Sequence, residues 1–552
     1  MARLLRAVRL AAALLGAFST PAAAQRFLPD DPIERDHDDL HVPQPPHDID
    51  LAGVWDFFEN TFRRKGPPPG AIPPAQNVNT LGEVPDSSWW ENRIGVRPMS
   101  LEEVVRGPNA GPGPDVEGIW TVIQGKSGGI TPGFTMRDAR GDVYFIKLDP
   151  SLYFGLSTGA EVIGGKFFHA FGYFVPETWI AYVRRDQIRV GPEARVHPLG
   201  AKPRPMVPGD LDHILRDVAS LPDGRLRFVA SKKVPGHVIG PHKYFGTRPD
   251  DPNDVIPHEH RRELRGYRVF CAWLNHDDSR SINSLDSYVE SGGRRWVRHY
   301  MQDFSSILGS GSDWRRAIAP QNPRAGNEYI VEFAPILKTA ATFGVWQRPW
   351  HGIPYEVYPQ VGGIEAARFD PDLWRPEYPN AAFQHMLPED AFWAARIVAK
   401  FTDEMIRAIV REGDFRAPRA EAHLADVIIQ RRDKVLARYL GALNPLADFR
   451  LDARADAAVL GFTNYGEDAR LGRVEAYEYE WFAFDNATLG RRSLGAVSRT
   501  PDRAIPLPAS RPEYLMVRIR TVAPDSAAWK KAVDVFIRTT GEMKVVGIDR
   551  EP

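Results

Sequence analysis

The sequence predicts an α+β fold in which a β-rich region is followed by a helical region and then by a second β-rich region. Short β-branched and aromatic runs separated by turn residues lie between about residues 119 and 230. Apolar residues then recur at helical spacing in segments between about residues 258 and 443. Acidic and apolar residues alternate again in residues 474–481, as in a half-exposed strand.

The composition fits a protein with sizeable cores and gives no bulk signal for nucleic acid. The chain has 552 residues, of which 43% are hydrophobic and 11% aromatic. Its formal net charge of −1 gives no basic signal for nucleic acid or an anionic membrane. The single cysteine, Cys271, excludes an internal disulfide, and its apolar neighbours predict a buried core thiol.

Residues 1–24 have the pattern of a cleaved signal peptide. Three arginines precede a short apolar run, and Ala22-Ala23-Ala24 before Gln25 forms a small-residue cleavage site. An uncleaved anchor is the alternative, but the apolar run is shorter than the roughly 20 residues that span a bilayer. We therefore expect a periplasmic or secreted protein with no transmembrane segment in the mature chain.

Residues 25–115 are rich in proline, and we expect an extended strap along a folded body. Trp89 and Trp90 offer large apolar anchors within it. Paired tryptophans can also bind carbohydrate, but anchoring in a core is the favoured interpretation.

Residues 116–256 predict a small β-rich lobe. Its expected strands are 120–123, 133–136, 143–148, 174–183 and 226–230. A helix is predicted over residues 158–171, with Thr158 as N-cap and Glu161 three residues later. This order of sheet, one helix and further sheet is typical of an α+β lobe.

Residues 257–446 predict a helical lobe, and residues 447–552 a β-rich C-terminal domain. The expected helices are 258–274, 389–411 and 421–443. The expected C-terminal strands are 474–481, 514–520 and 543–548.

An acid, an amide and a second acid follow the first of these helices. They are Asp278, Asn283 and Asp303. A carboxylate can take a proton from an attacking hydroxyl, and carboxylate and amide oxygens suit Mg²⁺ held against a phosphate chain. An Asx-rich loop followed by a turn is the alternative.

Upstream residues supply further candidates for a phosphate site. Lys147 ends a strand and can neutralise phosphate oxygens, while Glu161 can hold the lysine in place. The alternatives are an edge-strand lysine and a capping-box glutamate. Gly125, Gly128 and Gly129 can let backbone N–H groups approach phosphates, although the Walker A spacing is absent.

The order of these parts resembles that of the protein-kinase-like superfamily. The parts are a glycine-rich hairpin, a strand lysine, a helix glutamate, His276-x-Asp278-x-x-x-x-Asn283, a strand and Asp303-Phe304. The resemblance covers residues 119–310 and is strongest to atypical branches such as HipA-type and CotH-type kinases. It implies a bilobal fold with a β-rich N-lobe and a helical C-lobe.

The resemblance also implies roles for the individual residues. Lys147 would contact the phosphates of ATP and pair with Glu161, and Asp278 would accept the proton of the substrate hydroxyl. Asn283 and Asp303 would hold Mg²⁺. Arg280 lies where kinases often carry a lysine that faces the γ-phosphate, although arginine and lysine are not interchangeable.

Several positions depart from the kinase pattern. Asp277 replaces the usual arginine, which leaves the base open between Asp277 and Asp278. Ser305 replaces the usual glycine, and no Ala-Pro-Glu signature follows. His258-Glu259-His260 lacks the spacing of a zinc hydrolase, so surface or capping histidines are expected there.

The expected function is that of an exported, ATP- and Mg²⁺-dependent phosphotransferase acting on an unidentified hydroxyl acceptor. One alternative is a kinase-like binding or scaffold protein, because ATP is expected to be scarce outside the cytoplasm. Another is transfer of AMP by the same fold.

Overall fold

The computed structural model describes residues 25–64, 66–68, 70–125, 132–196, 202–311, 324–353, 355–452 and 458–551. The chain divides into two compact units. We call Glu34–Val78 with Glu83–Leu443 the central unit, and Met1–Ile33, Asn79–Gly82 and Asn444–Pro552 the terminal unit. Several sheets together with many helices confirm the α+β class. The bilobal arrangement and the domain boundaries stay predictions, and residues 1–24 lie outside the described residues.

A seven-stranded sheet carries Lys147 near its middle. Its strands are β1 (Trp120–Gly125), β2 (Gly133–Arg137), β3 (Val143–Leu148), β4 (Thr178–Val183), β5 (Ile188–Val196), β6 (Arg204–Pro205) and β7 (Leu226–Lys232). They are ordered β4-β7-β3-β2-β1-β5-β6, with β1 and β5 parallel. Buried aromatic residues, including Trp120, Tyr144 and Phe228, form the core of this sheet. Strand β3, which holds Lys147, is therefore paired on both sides rather than at an edge.

The helices of the central unit lie before, within and after this sheet in the chain. They are α1 (Gly53–Phe58), α2 (Leu101–Arg106), α3 (Leu156–Phe171), α4 (Pro208–Leu215), α5 (Arg262–Leu274), α6 (Phe333–Ala341), α7 (Ala381–Gln384), α8 (Pro388–Val398), α9 (Asp403–Arg411) and α10 (Pro418–Leu440). The predicted single helix over residues 389–411 is thus two helices. Thr402 caps the second one by accepting the N–H of Met405 at 3.2 Å.

Helix α3 is capped by a carboxylate from the preceding loop. The fully buried Asp149 accepts the N–H groups of Gly155, Ser157 and Thr158 at 2.8–3.0 Å, and the Thr158 hydroxyl at 2.6 Å. The predicted N-cap at Thr158 is therefore wrong, because Thr158 lies within the first turn. A carboxylate satisfies three orphan N–H groups at once, which a single hydroxyl cannot do. Glu161 is then not a capping-box partner.

A second sheet connects the two halves of the predicted catalytic pattern. Its strands are β8 (His237–Gly240), β9 (Ser284–Ser291) and β10 (Arg294–Met301), ordered β10-β9-β8. Strands β9 and β10 form a hairpin closed by Gly292 and Gly293, both at positive φ, as a tight primed turn requires. The first strand follows Asn283 directly, and the second ends just before Gln302 and Asp303.

The proline-rich segment runs along the central unit as expected of a strap. Its backbone N–H groups donate hydrogen bonds to three separate parts of the central unit, at 2.7–2.9 Å. The acceptors are the carbonyl of Arg295 in β10 for Val42, that of Ile239 in β8 for Ile49, and that of His260, just before α5, for Gln76. Trp89 and Trp90 are buried, 3% and 1% exposed, which confirms their role as core anchors. Cys271 in α5 is also buried, as predicted.

The terminal unit is built from two sheets and a short helix, α11 (Tyr465–Asp468). One sheet contains β11 (Leu446–Asp452), β12 (Val459–Asn464) and β16 (Ala504–Pro506). The other contains β13 (Ala476–Phe484), β14 (Arg491–Ser493), β15 (Ser498–Thr500), β17 (Tyr514–Val522), β18 (Val533–Arg538) and β19 (Lys544–Arg550). Phe27 is buried against Phe484 and Phe536 of this second sheet. Across the described part of both units, each helix is too short or too polar to be a membrane span.

We predict that Asp149→Ala lowers the free energy of unfolding by about 3 kcal/mol, because it removes a cap and the one fully buried carboxylate that pairs with Arg227 among the described residues, leaving the partly exposed Asp414. Denaturant unfolding measures the change. The matched control is Asp212→Ala, which removes a partner of Arg185 in an exposed pair and should cost less than about 1 kcal/mol. Equal losses in the two variants would contradict the proposed role of Asp149.

Candidate functional site

The β9–β10 hairpin brings Asn283 and Asp303 to the same place. Ser284 pairs with Met301 at the open end of the hairpin, and Gln302 N–H donates to the Asn283 carbonyl at 3.1 Å. The Asn283 amide nitrogen donates to the Asp278 carbonyl at 2.7 Å. The amide and the second acid of the sequence pattern are therefore neighbours.

The ammonium group of Lys147 joins β3 to helix α3 and to the residues after β10. Its Nζ donates to Glu161 Oε2 at 2.8 Å and to Asp303 Oδ1 at 2.5 Å. It also lies 3.3 Å from Ser305 Oγ, which donates to Asp303 Oδ1 at 2.7 Å. The structure thus brings together Lys147, Glu161 and Asp303, which are far apart in sequence.

Burial and charge oppose each other in this group. Burial alone lowers the pKa of Lys147, but Asp303 and Glu161 outweigh it and raise the pKa overall. Burial raises the pKa of Glu161, and Lys147 opposes that shift. Lys147 is therefore a protonated cation between two carboxyl groups.

Asp278 sits in a cluster of charged groups beside this lysine site. Its carboxylate contacts Arg280 Nε, and Arg280 Nη1 lies 3.2 Å from Glu377 Oε2. Burial, opposed by Arg280 and reinforced by Glu377 and Asp303, raises the pKa of Asp278 to about 7. A carboxyl group that titrates near neutral pH suits a general base.

Asp277 differs from Asp278 in its surroundings. Burial, with Glu377 and Asp278 adding to it, raises the pKa of Asp277 well above its usual range. This direction of shift favours the protonated form of Asp277. The pKa of Asp278, by contrast, is raised in part by the charge of Asp303. The Asp278 carboxylate also accepts a long hydrogen bond from Ser306 Oγ at 3.5 Å. These surroundings favour Asp278 over Asp277 as the base.

His276 is packed as a neutral aromatic ring. It lies 5.8 Å and 5.7 Å, centroid to centroid, from Phe168 and Phe304. Burial lowers its pKa to about 3. Both ring nitrogens are buried without a hydrogen-bond partner among the described residues. His276 therefore supports Phe304, next to Asp303, by packing.

A cavity of about 400 Å³ opens beside Lys147, Glu161 and Asp303. Its walls are mostly apolar, from Phe134, Phe145, Ile146, Val234, Val238 and Leu285. An apolar cavity with a few convergent charged groups is the usual form of a small-molecule site. A second cavity, of about 370 Å³, has a lining that includes Asn275, Trp346 and Trp374. Its lining includes none of the predicted site residues.

Of the three predicted glycines in the glycine-rich connection, one lies within the described residues. Gly125 is the buried last residue of β1 and pairs with Phe134 of β2. Gly128 and Gly129 lie outside the described residues. Contact of these three glycines with phosphates stays a prediction.

A buried histidine–aspartate cluster was not predicted from the sequence. Asp286 Oδ1 lies 2.8 Å from His242 Nδ1 and 2.7 Å from His299 Nδ1. The three side chains are close enough to hold a metal ion. However, Arg248 Nη1 lies 3.5 Å from Asp286 Oδ2 and already balances the carboxylate. Burial lowers the pKa of His299 to about 4, so its neutral ring can donate to Asp286.

This cluster stabilises the two strands that lead to the candidate site. Asp286 and His299 are opposite each other on β9 and β10, the strands that end at Asn283 and Asp303. The nearby His258 is also buried, with Nε2 2.7 Å from Asp254 Oδ2. The prediction that His258 is a surface histidine is therefore wrong, because a buried carboxylate holds its ring inside. The sequence analysis also did not predict that Glu377 contacts Arg280, because no local motif marks this glutamate.

Comparisons with known proteins find no matching family model and no matching curated protein. Among solved structures, the crystal structure of a Helicobacter pylori proinflammatory kinase, CtkA, is matched with a TM-score of 0.27 and 11% sequence identity. The match covers 57% of this chain and 98% of that chain. A likeness at this TM-score supports no conclusion about this chain.

We predict that Lys147→Met destabilises the central unit by about 3 kcal/mol, because it leaves Glu161 and Asp303 facing each other without their cation. Adding Glu161→Gln should recover part of that loss, since the two effects are coupled. Thermal and denaturant unfolding measure both variants.

The control for this prediction is Lys232→Met on the neighbouring strand β7. Lys232 pairs with Asp142 in a partly exposed position, so the cost should stay within about 1 kcal/mol. Simple additivity of the Lys147 and Glu161 substitutions would contradict the shared ion pair.

Proposed function

We propose that this chain is a phosphotransferase of atypical kinase-like fold that moves the γ-phosphate of ATP to a hydroxyl acceptor. The observation that carries the proposal is the position of Lys147, bonded to both Glu161 and Asp303 at the edge of an apolar cavity. Enzymes catalyse phosphoryl transfer mainly by positioning the reactants and stabilising charge. A fixed cation beside a candidate metal ligand meets both requirements.

The residues around this lysine fit a nucleotide and Mg²⁺. The apolar cavity suits a planar base, and Lys147 at its end suits the phosphates. Asn283 and Asp303 offer oxygen donors of the kind Mg²⁺ prefers, and the Asp303 side chain is 36% exposed. These two residues would hold the ion, which would neutralise phosphate charge.

Asp278 is the proposed base for the acceptor hydroxyl. Arg280 bridges Asp278 and Glu377 in the structure, so it orients the base. Contact of Arg280 with the γ-phosphate is a further part of the proposal. The proposed location is the periplasm or the cell exterior, supported by the pattern of residues 1–24 alone.

Labelled ATP tests the proposal. Label carried from the γ-phosphate to protein, an added acceptor or water supports the phosphotransferase. Label carried only from the α-phosphate would instead indicate AMP transfer. A nucleotide-dependent rise in melting temperature without any transfer would indicate a binding or scaffold protein.

We predict that Asp278→Asn lowers the rate of γ-phosphate transfer by about 10²–10⁴-fold, the usual contribution of a general base. The matched control is Asp277→Asn at the adjacent position. Asparagine resembles a protonated carboxyl group, the form that the raised pKa of Asp277 favours, so this change should have a smaller effect than Asp278→Asn. The reverse order of effects would assign the base to Asp277.

We predict that kcat/KM rises with pH through a midpoint near 7, because Asp278 must lose its proton to act as the base. Glu377→Gln should move this midpoint to lower pH, since the Glu377 charge holds the pKa of Asp278 up. Glu404→Gln, an exposed substitution on α9, should leave it in place. An unchanged midpoint in Glu377→Gln would contradict the assignment.

A further inference from the structure

The segment after Asp303 is held in one place by the fold. Ile307 N–H donates to the Phe304 carbonyl at 3.2 Å, which makes Ser305 and Ser306 the central residues of a turn. Leu308 N–H donates to the Leu274 carbonyl at the end of α5 at 2.9 Å. Phe304 is buried and stacks on Phe168, with ring centroids 4.7 Å apart and an angle of 8°.

The two serines of this turn have different partners. Ser305 Oγ donates to Asp303 Oδ1 and contacts Lys147, so it belongs to the phosphate end of the site. Ser306 Oγ donates to Asp278 Oδ2 at 3.5 Å. Among the described residues, this is the one serine, threonine or tyrosine hydroxyl that hydrogen-bonds the Asp278 carboxylate. Hydrogen bonds of this kind are often long before substrate binds and tighten in the reacting complex.

The position of Ser306 is the one that an acceptor hydroxyl needs. An acceptor must present its oxygen to the base on one side and to the γ-phosphate on the other. Ser306 lies three residues after the proposed Mg²⁺ ligand Asp303 and touches the proposed base. The hydrogen bond from Leu308 to Leu274 fixes this turn against α5. The Ser306 hydroxyl is therefore already held close to the Asp278 carboxylate.

We propose that Ser306 is an acceptor in cis, and that the chain phosphorylates this serine in its own site. The inference rests on the proposed function, since it uses the same nucleotide and the same base. It adds an acceptor that the sequence pattern does not identify.

The step balances with ATP as the only co-reactant. Asp278 takes the proton from the Ser306 hydroxyl as Oγ forms a bond to the γ-phosphorus. The bond from that phosphorus to the β,γ-bridging oxygen breaks, and ADP leaves with the electron pair. The proton remains on Asp278 until it passes to solvent.

The product would limit further turnover. A phosphate on Ser306 would lie beside the carboxylates of Asp278 and Glu377, with Arg280 as the nearby cation that can receive it. Phosphoserine would then compete with Asp278 for Arg280 and cover the base. We therefore expect about one phosphate per chain rather than progressive labelling.

The experiment uses the full mature chain, ATP labelled at the γ-phosphate, and Mg²⁺. Intact mass gives the number of phosphates, and fragmentation of the tryptic peptide 299–315 assigns the site among its serines. The expected result is one phosphate on Ser306, with an initial rate per chain that does not depend on protein concentration. Mapping on the unaltered chain keeps the test independent of whether a variant folds.

Three single-residue variants test whether labelling depends on the Ser306 hydroxyl. Ser306→Ala should lose this phosphate, Ser306→Thr should keep a modified hydroxyl, and the exposed control Ser151→Ala should be labelled like the unaltered chain. The melting temperature of Ser306→Ala should still rise with Mg²⁺ and ATP, because the Ser306 hydroxyl bonds to Asp278, the proposed base, rather than to Lys147 at the phosphate end of the site. Loss of that rise would place Ser306 in nucleotide binding and overturn the proposal.

Two other outcomes separate the inference from the proposed function. Consumption of the γ-phosphate with Ser306 unmodified, or labelling of Ser306 at a rate that increases with protein concentration, overturns the cis acceptor and leaves the phosphotransferase standing. Failure to consume the γ-phosphate at all overturns both.

Discussion

The ammonium group of Lys147 is the interaction on which the rest of the site depends. It is buried and bonded to carboxyl groups from helix α3 and from the residues after β10. The buried Glu161 carboxylate would cost several kcal/mol without a partner, so Glu161 depends on the lysine more than the partly exposed Asp303 does. The seven-stranded sheet, helix α3 and the β9–β10 hairpin therefore meet at the Lys147 ammonium group. The apolar cavity lies at the same place.

Burial and neighbouring carboxylates raise the pKa values of Asp277 and Asp278 in the adjacent cluster. Asp277, Asp278 and Glu377 lie close together in a buried region, where Arg280 contacts Asp278 and Glu377. Arg280 and Arg324 oppose the rise in the pKa of Asp277, but burial and the repulsion between carboxylates outweigh them. A polyphosphate would add more negative charge to the same region. In the proposed function, a divalent cation held by Asn283 and Asp303 would balance that charge.

The sequence predicted those parts of the fold that depend on local pattern. Strands β1 to β3, helix α3, and the pairing of Lys147 with Glu161 all follow from periodicity or from the family resemblance. The cap of α3 did not, because Asp149 reaches the helix from a loop whose course the local pattern does not specify. The cluster of His242, Asp286 and His299 joins three separate strands or loops, and its members carry no local signal. Glu377 reaches Arg280 only through the tertiary fold.

The departures from the kinase pattern have defined partners in this structure. Asp277, in place of arginine, is buried, which raises the pKa of its carboxyl group, and its backbone carbonyl accepts the N–H of Glu377 at 2.8 Å. Ser305, in place of glycine, donates its hydroxyl to Asp303, which itself adopts a positive φ of 60°. A degenerate site would be expected to leave such substitutions unpaired or to lose the lysine and its acids. Lys147 keeps both of its acids, and Ser305 adds a side-chain hydrogen bond to Asp303, so these departures from the pattern leave the charged groups of the site paired.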